Sequence, residues 1–320
     1  MAANQHQPPL APKHWGAWGA VGLLWIVTHL PLRAQFALGR LFGSLAYHIG
    51  GRRRHITETN IAMCFPALNP AARSRLVKRT FESFGISFVE TAYSWLRPLT
   101  PLMERFTVTG HDVVEAAIAE GRGVVAVGAH FSTLDLAGAY MQNTYDFDVM
   151  YRKSHNAVVE YMMLRARERT YTHVIDSHDI RKIMRLFSQG HVVWYAADQD
   201  YGYRQAVFAP FFGVEAATAG ATARFARIND APVIFVSHFR DEKALTWSVH
   251  IQRVDDYPTG DAVADATKLN GIIEAEIRKA PEQYLWLHRR FKTRPDPAEQ
   301  SPYGPRRRRS KRRANASTEN

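Results

Sequence analysis

The spacing of apolar residues changes along the chain. Residues 34–49 and 69–96 carry apolar side chains at every third or fourth position, which predicts amphipathic helices. Beyond residue 120, short uninterrupted apolar runs take over, and such runs are typical of buried strands. Five strands are predicted, at GVVAVGA from residue 123, FDVMYR from 147, HVVWYAAD from 191, APVIFVSHF from 231 and TWSVHIQRV from 246.

Helical spacing returns between these strands, near residues 157–168, 179–188 and 218–228. Strands that alternate with helices predict an α/β fold, in which helices cover a sheet. We therefore expect a single domain over residues 33–300, built on a mixed sheet flanked by helices. No internal repeat interrupts it.

The segment before this domain, residues 15–32, contains no charged residue. Its length is marginal for a spanning helix, so it predicts a membrane anchor that either crosses the bilayer or lies at its surface. Trp15, Trp18 and Trp25 suit the depth of lipid headgroups, and the arginines that follow place the bulk of the protein on the cytoplasmic face. A buried helix is the next interpretation. A cleaved signal peptide comes last, because no small-residue cleavage site follows.

Charge and cysteine content restrict the remaining segments. The net charge is +11, and seven of the positive charges lie in RRRRSKRR at 306–313, so residues 301–320 are predicted to form a basic disordered tail. Residues 1–14 form a short N-terminal segment. Cys64 is the single cysteine, which excludes an intramolecular disulfide and a multi-cysteine metal site.

Polar clusters follow three predicted strands, in VGAH, MYRKSHN and AADQDYG. Ligands of open α/β sheets bind beyond the carboxyl ends of strands, so we expect these clusters to converge. His130 can act there as a general base, with Asp135 holding its other ring nitrogen. The alternative is a helix capping box in Ser132-Thr133-Leu134-Asp135, which leaves Asp135 a capping role and His130 an ordinary loop position.

Other classes of protein fit less well. A metal hydrolase lacks a paired ligand spacing such as His-Glu-x-x-His, so no metal site is predicted. A nucleic-acid-binding protein would explain the basic tail, but no recognised binding module is present, and no nucleic-acid partner is expected. A non-catalytic basic membrane scaffold remains a weaker alternative.

Several motifs, taken in order, resemble the late acyltransferases of lipid A biosynthesis. They follow an apolar N-terminus and cover residues 15–295: NIAMCFPAL, GAHFSTLD, YRKSHN, VVWYAADQDYG, PFFGVEAAT and APEQYLWLHRRFKTRP. The last motif is far more specific than the His-x-x-x-x-Asp spacing alone, which glycerol-phosphate acyltransferases share. The resemblance implies a glycerol-phosphate-acyltransferase-like fold and an enzyme of the inner membrane.

The family's reaction assigns roles to residues of this chain. An acyl group carried as a thioester on acyl carrier protein is transferred to a hydroxyacyl chain of the Kdo-bearing lipid A precursor, and no cofactor is implied. His130 is the expected base and Asp135 its orienting carboxylate, although many relatives have glutamate there. Arg167 is expected to stabilise an oxyanion or a lipid phosphate, and Asp198 also matches an important position. The residues expected to bind substrate are Arg152, Asn156, Arg289, Arg290 and Lys292.

Two features depart from the family pattern. VIDSHDIRK carries Ser177 and His178 where relatives commonly have arginine, although Arg181 or Lys182 could substitute. The basic tail is not a family feature and receives no role beyond attraction to anionic lipid. The alternative function is another membrane-associated O- or N-acyltransferase with a different lipid acceptor.

Overall fold

The chain folds into a central sheet covered by helices on both faces. The computed structural model describes residues 7–304, so residues 305–320 of the predicted tail, including the basic run at 306–313, lie outside the described residues. Tyr303, within the predicted tail, is buried. The helices are α1 (Trp15–Val27), α2 (Leu32–Ile49), α3 (Gly51–Cys64), α4 (Pro70–Leu96), α5 (His111–Ala119), α6 (Leu134–Thr144), α7 (Ala157–Thr170), α8 (Ile180–Ser188), α9 (Ala221–Ala226) and α10 (Ala262–Lys279). The strands are β1 (Phe106–Thr109), β2 (Val124–Gly128), β3 (Phe147–Tyr151), β4 (Val174–Asp176), β5 (Val192–Ala196), β6 (Ala206–Phe211), β7 (Val214–Ala219), β8 (Val233–Asp241) and β9 (Thr246–Arg253).

Seven of these strands form the central sheet, in the order β1-β9-β8-β2-β5-β3-β4. Pairing is parallel except between β8 and β9, so the sheet is mixed, as predicted. Strands β6 and β7 form a separate antiparallel hairpin. Strand β2 lies at the centre of the sheet, between β5 and β8, and its carboxyl end meets those of its two parallel neighbours.

Alternating side chains of the central strands enter two hydrophobic cores, one on each face of the sheet. Val125 and Val127 of β2 pack into the core that also contains Phe235. Val124 and Ala126 pack into the opposite core. Both faces of β2 are therefore buried, which explains why its sequence is a continuous apolar run rather than an alternating one.

Residues 15–32, predicted as an anchor that either spans the bilayer or lies at its surface, do not form a spanning helix. Helix α1 has 13 residues and is therefore about 20 Å long, short of the 30 Å hydrocarbon core. Among residues 7–304, no helix combines the length and the apolar character needed to cross a bilayer. The apolar run is interrupted at residues 28–31, which connect the end of α1 at Val27 to the start of α2 at Leu32. Helix α1 instead packs against α4 and α7.

Helix α2 crosses α4 at close range through three glycines. A Cβ atom on Gly85 of α4 would lie 2.6 Å from the backbone nitrogen of Gly43, and one on Gly39 would lie 2.7 Å from the Cα of Ile86. Contact this close fixes α2 against the domain. Its other face exposes large apolar side chains, namely Leu38, Leu41, Phe42, Leu45 and Ile49.

The five predicted strands are confirmed by β2, β3, β5, β8 and β9. The helix predicted at 218–228 is shorter than expected, because Thr218 and Ala219 complete β7 and pair with β6. The spacing of apolar residues did not predict that hairpin, since its register depends on contacts between two short segments. The expected helices at 34–49, 69–96, 157–168 and 179–188 correspond to α2, α4, α7 and α8.

Candidate active site

Two loops that leave adjacent parallel strands bring His130 and Asp198 together. Gly128 at the end of β2 is paired in register with Ala196 at the end of β5. His130 and Asp198 each lie two residues beyond this pair. The backbone amide of Ala197 donates to the carbonyl of Gly128 at 3.1 Å and extends the registration into the loops. Sheet topology therefore aligns the two side chains.

The carboxylate of Asp198 holds the imidazole of His130 at two points. Nδ1 of His130 lies 2.6 Å from Oδ1 of Asp198, and the backbone amide of His130 donates to Oδ2 at 3.0 Å. The sequence-based expectation that Asp135 would hold the other ring nitrogen is corrected, because Asp198 is the carboxylate at Nδ1. Asp198 is 2% exposed and His130 27%, so the pair is open from the imidazole side.

Burial and charge act on this pair in opposite directions. Burial disfavours the imidazolium and lowers the pKa of His130, but the Asp198 carboxylate, with help from Asp135, outweighs burial and raises this pKa above its ordinary value. Burial also raises the pKa of Asp198, yet the imidazole and its hydrogen bonds hold it well below its usual range. Asp198 therefore stays ionised at neutral pH and stabilises a proton on His130.

Asp135 bonds to an arginine rather than to the imidazole. Oδ1 of Asp135 accepts a hydrogen bond from Nη2 of Arg167 at 2.9 Å, in an ion pair whose side chains are only about one-fifth exposed. The capping alternative is also wrong, because the amide of Ser132 donates to the carbonyl of Gln283 at 2.7 Å rather than to Asp135, and Thr133 at the helix N-cap makes no capping bond. Asp135 raises the pKa of His130 and Arg167 lowers it, each by less than burial and Asp198 do. Both groups of the ion pair therefore lie within electrostatic range of His130.

Gln199 is a site residue that the sequence analysis missed. Its side-chain amide nitrogen lies 3.2 Å from Nε2 of His130. Since Nδ1 donates to Asp198, Nε2 carries the lone pair, and the amide of Gln199 donates to it. The signal in the sequence was its position, between the two aspartates of AADQD, but polarity alone did not distinguish it from a solvated loop residue.

An apolar groove of about 550 Å³ adjoins this polar cluster. Helices α1, α4 and α7 line it, and its wall includes Leu24, Phe88, Trp95 and Met162, together with Asp135. A second, smaller cavity of about 40 Å³ is lined by residues that include Asp135 and Arg167. The candidate site thus combines a charged cluster around His130 with an adjoining apolar groove.

Comparison with known proteins identifies the family of the chain. Residues 4–293 match the protein family described as "Bacterial lipid A biosynthesis acyltransferase". The chain is 36% identical over 288 residues to the lipid A biosynthesis palmitoleoyltransferase of Escherichia coli K12, which covers 89% of this chain and 94% of that protein. The chain belongs to the lipid A biosynthesis acyltransferase family.

Other relatives differ in the acyl group for which they are named. The lipid A biosynthesis lauroyltransferase of Escherichia coli K12 is 34% identical over 289 residues, covering 90% of this chain and 94% of that protein. The myristoyltransferase of the same organism is 24% identical over 295 residues, covering 91% of each. The similarity extends along almost the whole polypeptide to relatives that are named for different acyl groups. Family membership therefore does not determine the length of the acyl chain that is transferred.

The C-terminal motif of this lipid A acyltransferase packs against the loop that carries His130. The amide of Leu285 donates to the carbonyl of His130 at 3.0 Å, and Phe131 forms a β-bridge with Tyr284. Trp286 and Phe291 are fully buried. Asp200 fastens the same motif by accepting hydrogen bonds from the amide and hydroxyl of Thr293, at 2.7 and 2.8 Å.

This packing corrects the substrate-binding role expected of Arg290. The Arg290 side chain is 1% exposed, and it donates to the carbonyl of Ala217 at 2.6 Å and the hydroxyl of Thr218 at 2.9 Å. Its guanidinium also stacks over Phe211. Arg290 therefore ties the C-terminal motif to the β6–β7 hairpin, and its interior position keeps it from lipid phosphate.

The remaining residues expected to bind substrate occupy different environments. Asn156 caps α7, since its side-chain oxygen accepts from the amides of Val158 and Val159. Arg152 is exposed just beyond the carboxyl end of β3. The ammonium of Lys292 lies 3.4 Å from a carboxylate oxygen of Asp200 and stays about one-third exposed. The guanidinium of Arg289 lies over the ring of Tyr303, at 5.7 Å.

Proposed function

We propose that this lipid A acyltransferase moves a fatty acyl chain from acyl carrier protein to a hydroxyacyl chain of the Kdo-bearing lipid A precursor, with His130 as general base. One observation carries the assignment of the base. The Asp198 carboxylate occupies Nδ1 of His130, so Nε2 presents its lone pair. A hydroxyl is a weak nucleophile towards a thioester until such a base removes its proton.

The acceptor hydroxyl replaces the amide of Gln199 at Nε2 of His130. As its oxygen attacks the thioester carbonyl, the proton passes to Nε2 and the Asp198 carboxylate stabilises the imidazolium that results. Collapse of the tetrahedral intermediate forms the ester, and the leaving thiolate of the carrier takes the proton back. His130 is thus neutral, and Asp198 negatively charged, both before and after the reaction.

Arg167 has the charge needed to stabilise the oxygen of that intermediate. Its ion pair with Asp135 fixes the guanidinium while leaving other N–H groups of the fork available. The adjoining groove, which Asp135 helps to line, is suited to one acyl chain of the donor or the acceptor. Arg152, Arg289 and Lys292 are retained as ligands for the phosphates or carboxylates of the acceptor headgroup.

The exposed apolar face of α2 attaches the enzyme to the surface of the inner membrane. Phe42 of this face contacts Phe88, and Phe88 also lines the groove. The groove is bounded on another side by α1, which exposes Leu23, Trp25 and Ile26. An apolar surface continuous with the groove allows lipid chains to enter without crossing water. The catalytic domain would then lie on the cytoplasmic face.

The test is acyl transfer by purified protein, followed by mass spectrometry of the lipid product. Wild-type enzyme given acyl-carrier-protein thioester and the lipid A precursor should add one acyl mass. His130→Ala should lower the turnover number by about 10²- to 10⁴-fold. His178→Gln is the matched control, since His178 also pairs with an aspartate but is exposed at the edge of the sheet.

Each component of the proposal has its own contrary outcome. Equal turnover with acyl-coenzyme A would remove the carrier protein as the specific donor. Transfer to other hydroxylated lipids but not to the precursor would replace the acceptor. Full activity of His130→Ala would eliminate the general base.

A further inference from the structure

A second cluster of ionisable groups lies at the opposite edge of the sheet from His130. Asp148 is the second residue of β3, His173 directly precedes β4, and His191 directly precedes β5. Strand β3 pairs in parallel with both β4 and β5. The amino ends of three adjacent strands therefore bring one carboxylate and two imidazoles together, and the mechanism proposed above uses none of them.

The three side chains lie close enough together to bind a single ion. Nδ1 of His173 lies 2.9 Å from Oδ1 of Asp148, and Nδ1 of His191 lies 2.8 Å from Oδ2. A ligand atom from each residue lies within 4.8 Å of the other two. The two ring centroids are 5.3 Å apart, and both imidazoles remain about one-third exposed, so the cluster is open to solvent.

The carboxylate supplies an independent observation. Asp148 is 2% exposed, and its Oδ2 accepts no hydrogen bond. The nearby Nδ1 of His191 is close enough for a hydrogen bond but is not aligned for one. A buried carboxylate oxygen without an aligned donor is costly, and its position between two imidazoles is one that a cation satisfies.

The backbone holds the two histidines in place independently of any ion. The carbonyl of His173 accepts from the amide of Val149 at 3.0 Å, and the carbonyl of His191 accepts from the amide of Val124 at 3.0 Å. These bonds belong to the edges of the sheet ladder. The side chains therefore project from fixed points, which lowers the entropy cost of gathering them around a ligand.

We propose that Asp148, His173 and His191 form a binding site for a divalent transition-metal ion, with Zn²⁺ as the best match. Two imidazole nitrogens and one carboxylate oxygen, completed by water, are a ligand set that Zn²⁺ accepts in tetrahedral geometry. A neutral imidazole presents its Nδ1 lone pair once its proton resides on Nε2. Asp146 adds negative charge nearby, since it interacts electrostatically with both histidines.

The position of the cluster makes the ion a structural clamp. The five residues of β3 span about 16 Å, so the cluster and the catalytic edge are separated by roughly the width of the sheet. The ion would join the amino ends of β3, β4 and β5. Zinc would therefore stabilise the half of the sheet that carries Asp198 without contacting the reacting groups.

The test is titration of untagged, chelator-treated full-length protein with ZnCl₂, followed by calorimetry and by thermal unfolding. Wild-type protein should bind one more equivalent of zinc at micromolar concentration than the His173→Gln/His191→Gln variant, and its melting temperature should rise with zinc. Each single histidine variant should weaken this binding at least about tenfold, as loss of one ligand does. His178→Gln, which removes an exposed histidine paired with a single aspartate, should bind like the wild type.

Two results would overturn the site. The first is equal zinc stoichiometry and affinity in the wild type and the double variant, which would assign the binding to other histidines. The second is the absence of any zinc-dependent rise in the wild-type melting temperature. Thermal unfolding with chelator present verifies that each variant is folded before titration, so a failure to fold is not read as a failure to bind.

Discussion

The acid–base pair is the first residue-scale feature with a measurable consequence. The pKa of His130 is raised because the Asp198 carboxylate outweighs the opposing effect of burial. His130, the proposed base, must be neutral to accept a proton, so kcat/KM should fall as the pH falls through a value above 6.5. Asp198→Asn removes the carboxylate charge, which should shift this limb to lower pH by about 1 unit or more and lower the maximum rate. Rates measured from pH 5 to 9 provide both values.

The control for this profile is Asp176→Asn, which alters an exposed His–Asp pair at the end of β4, three strands from β2 in the sheet. Its profile should coincide with that of the wild type. If Asp198→Asn lowered the rate without moving the acidic limb, the titrating group would be one other than His130.

Variants of the ion pair between Asp135 and Arg167 distinguish an effect on turnover from an effect on stability. Asp135→Asn leaves the partly buried guanidinium uncompensated, so we expect unfolding to become easier by about 1–3 kcal/mol and turnover to fall. Adding Arg167→Gln removes the uncompensated charge and should restore part of the melting temperature, but not the turnover. Normal turnover in Asp135→Asn would assign the pair a purely structural role.

Arginines 289 and 290 are neighbours in sequence with different expected effects. Arg290→Met leaves acceptors of the β6–β7 hairpin unpaired and should cost about 2–4 kcal/mol of stability. The KM for lipid of the folded fraction should remain near the wild-type value. Arg289→Ala should raise the KM for lipid more than that for the acyl donor. Equal KM changes for both substrates would contradict its role as a lipid ligand.

At the scale of elements, the glycine contact between α2 and α4 leaves no room for a larger side chain. Gly85→Ala places a Cβ against the backbone of α2, and the overlap should destabilise the protein by about 1–3 kcal/mol. Gly271→Ala is the matched control, because Gly271 lies within α10 with no heavy atom within 4 Å of the added Cβ. It should stabilise the protein by about 0.5–1 kcal/mol. Thermal unfolding of both variants measures the contrast, and equal effects would refute close packing of α2.

At the scale of the whole molecule, the exposed apolar face of α2 is the proposed membrane-binding surface. Replacing Leu41, Phe42 and Leu45 with serine removes side chains that are each more than half exposed. Binding to vesicles should weaken at least about tenfold, while turnover on detergent-dispersed substrate is largely kept. The same triple change at Ile118, Ile180 and Val263 is the control, since these residues are exposed outside this face. Equal loss of vesicle binding in both variants would contradict a defined membrane face.

The sequence alone determined the strands, because runs such as VVAV have a low cost of burial on both faces of a sheet. It also determined the family, through motifs spread along the chain, and the place of His130 at the end of a strand. These features depend on residues that are close in sequence or on a fixed order of motifs. The confirmed elements are accordingly those with uninterrupted apolar runs or clear helical spacing.

Only the tertiary structure decided which charged groups meet. Asp198 reaches His130 across 68 positions because β2 and β5 are neighbours in the sheet, whereas local spacing favoured Asp135, five positions away. Arg290 lies in an arginine-rich run that is typical of a solvated surface, yet its hydrogen bonds across the hairpin and its aromatic contact compensate for burial. The same strand order gathers Asp148, His173 and His191. Strand adjacency brings distant residues together, and no spacing along the chain encodes it.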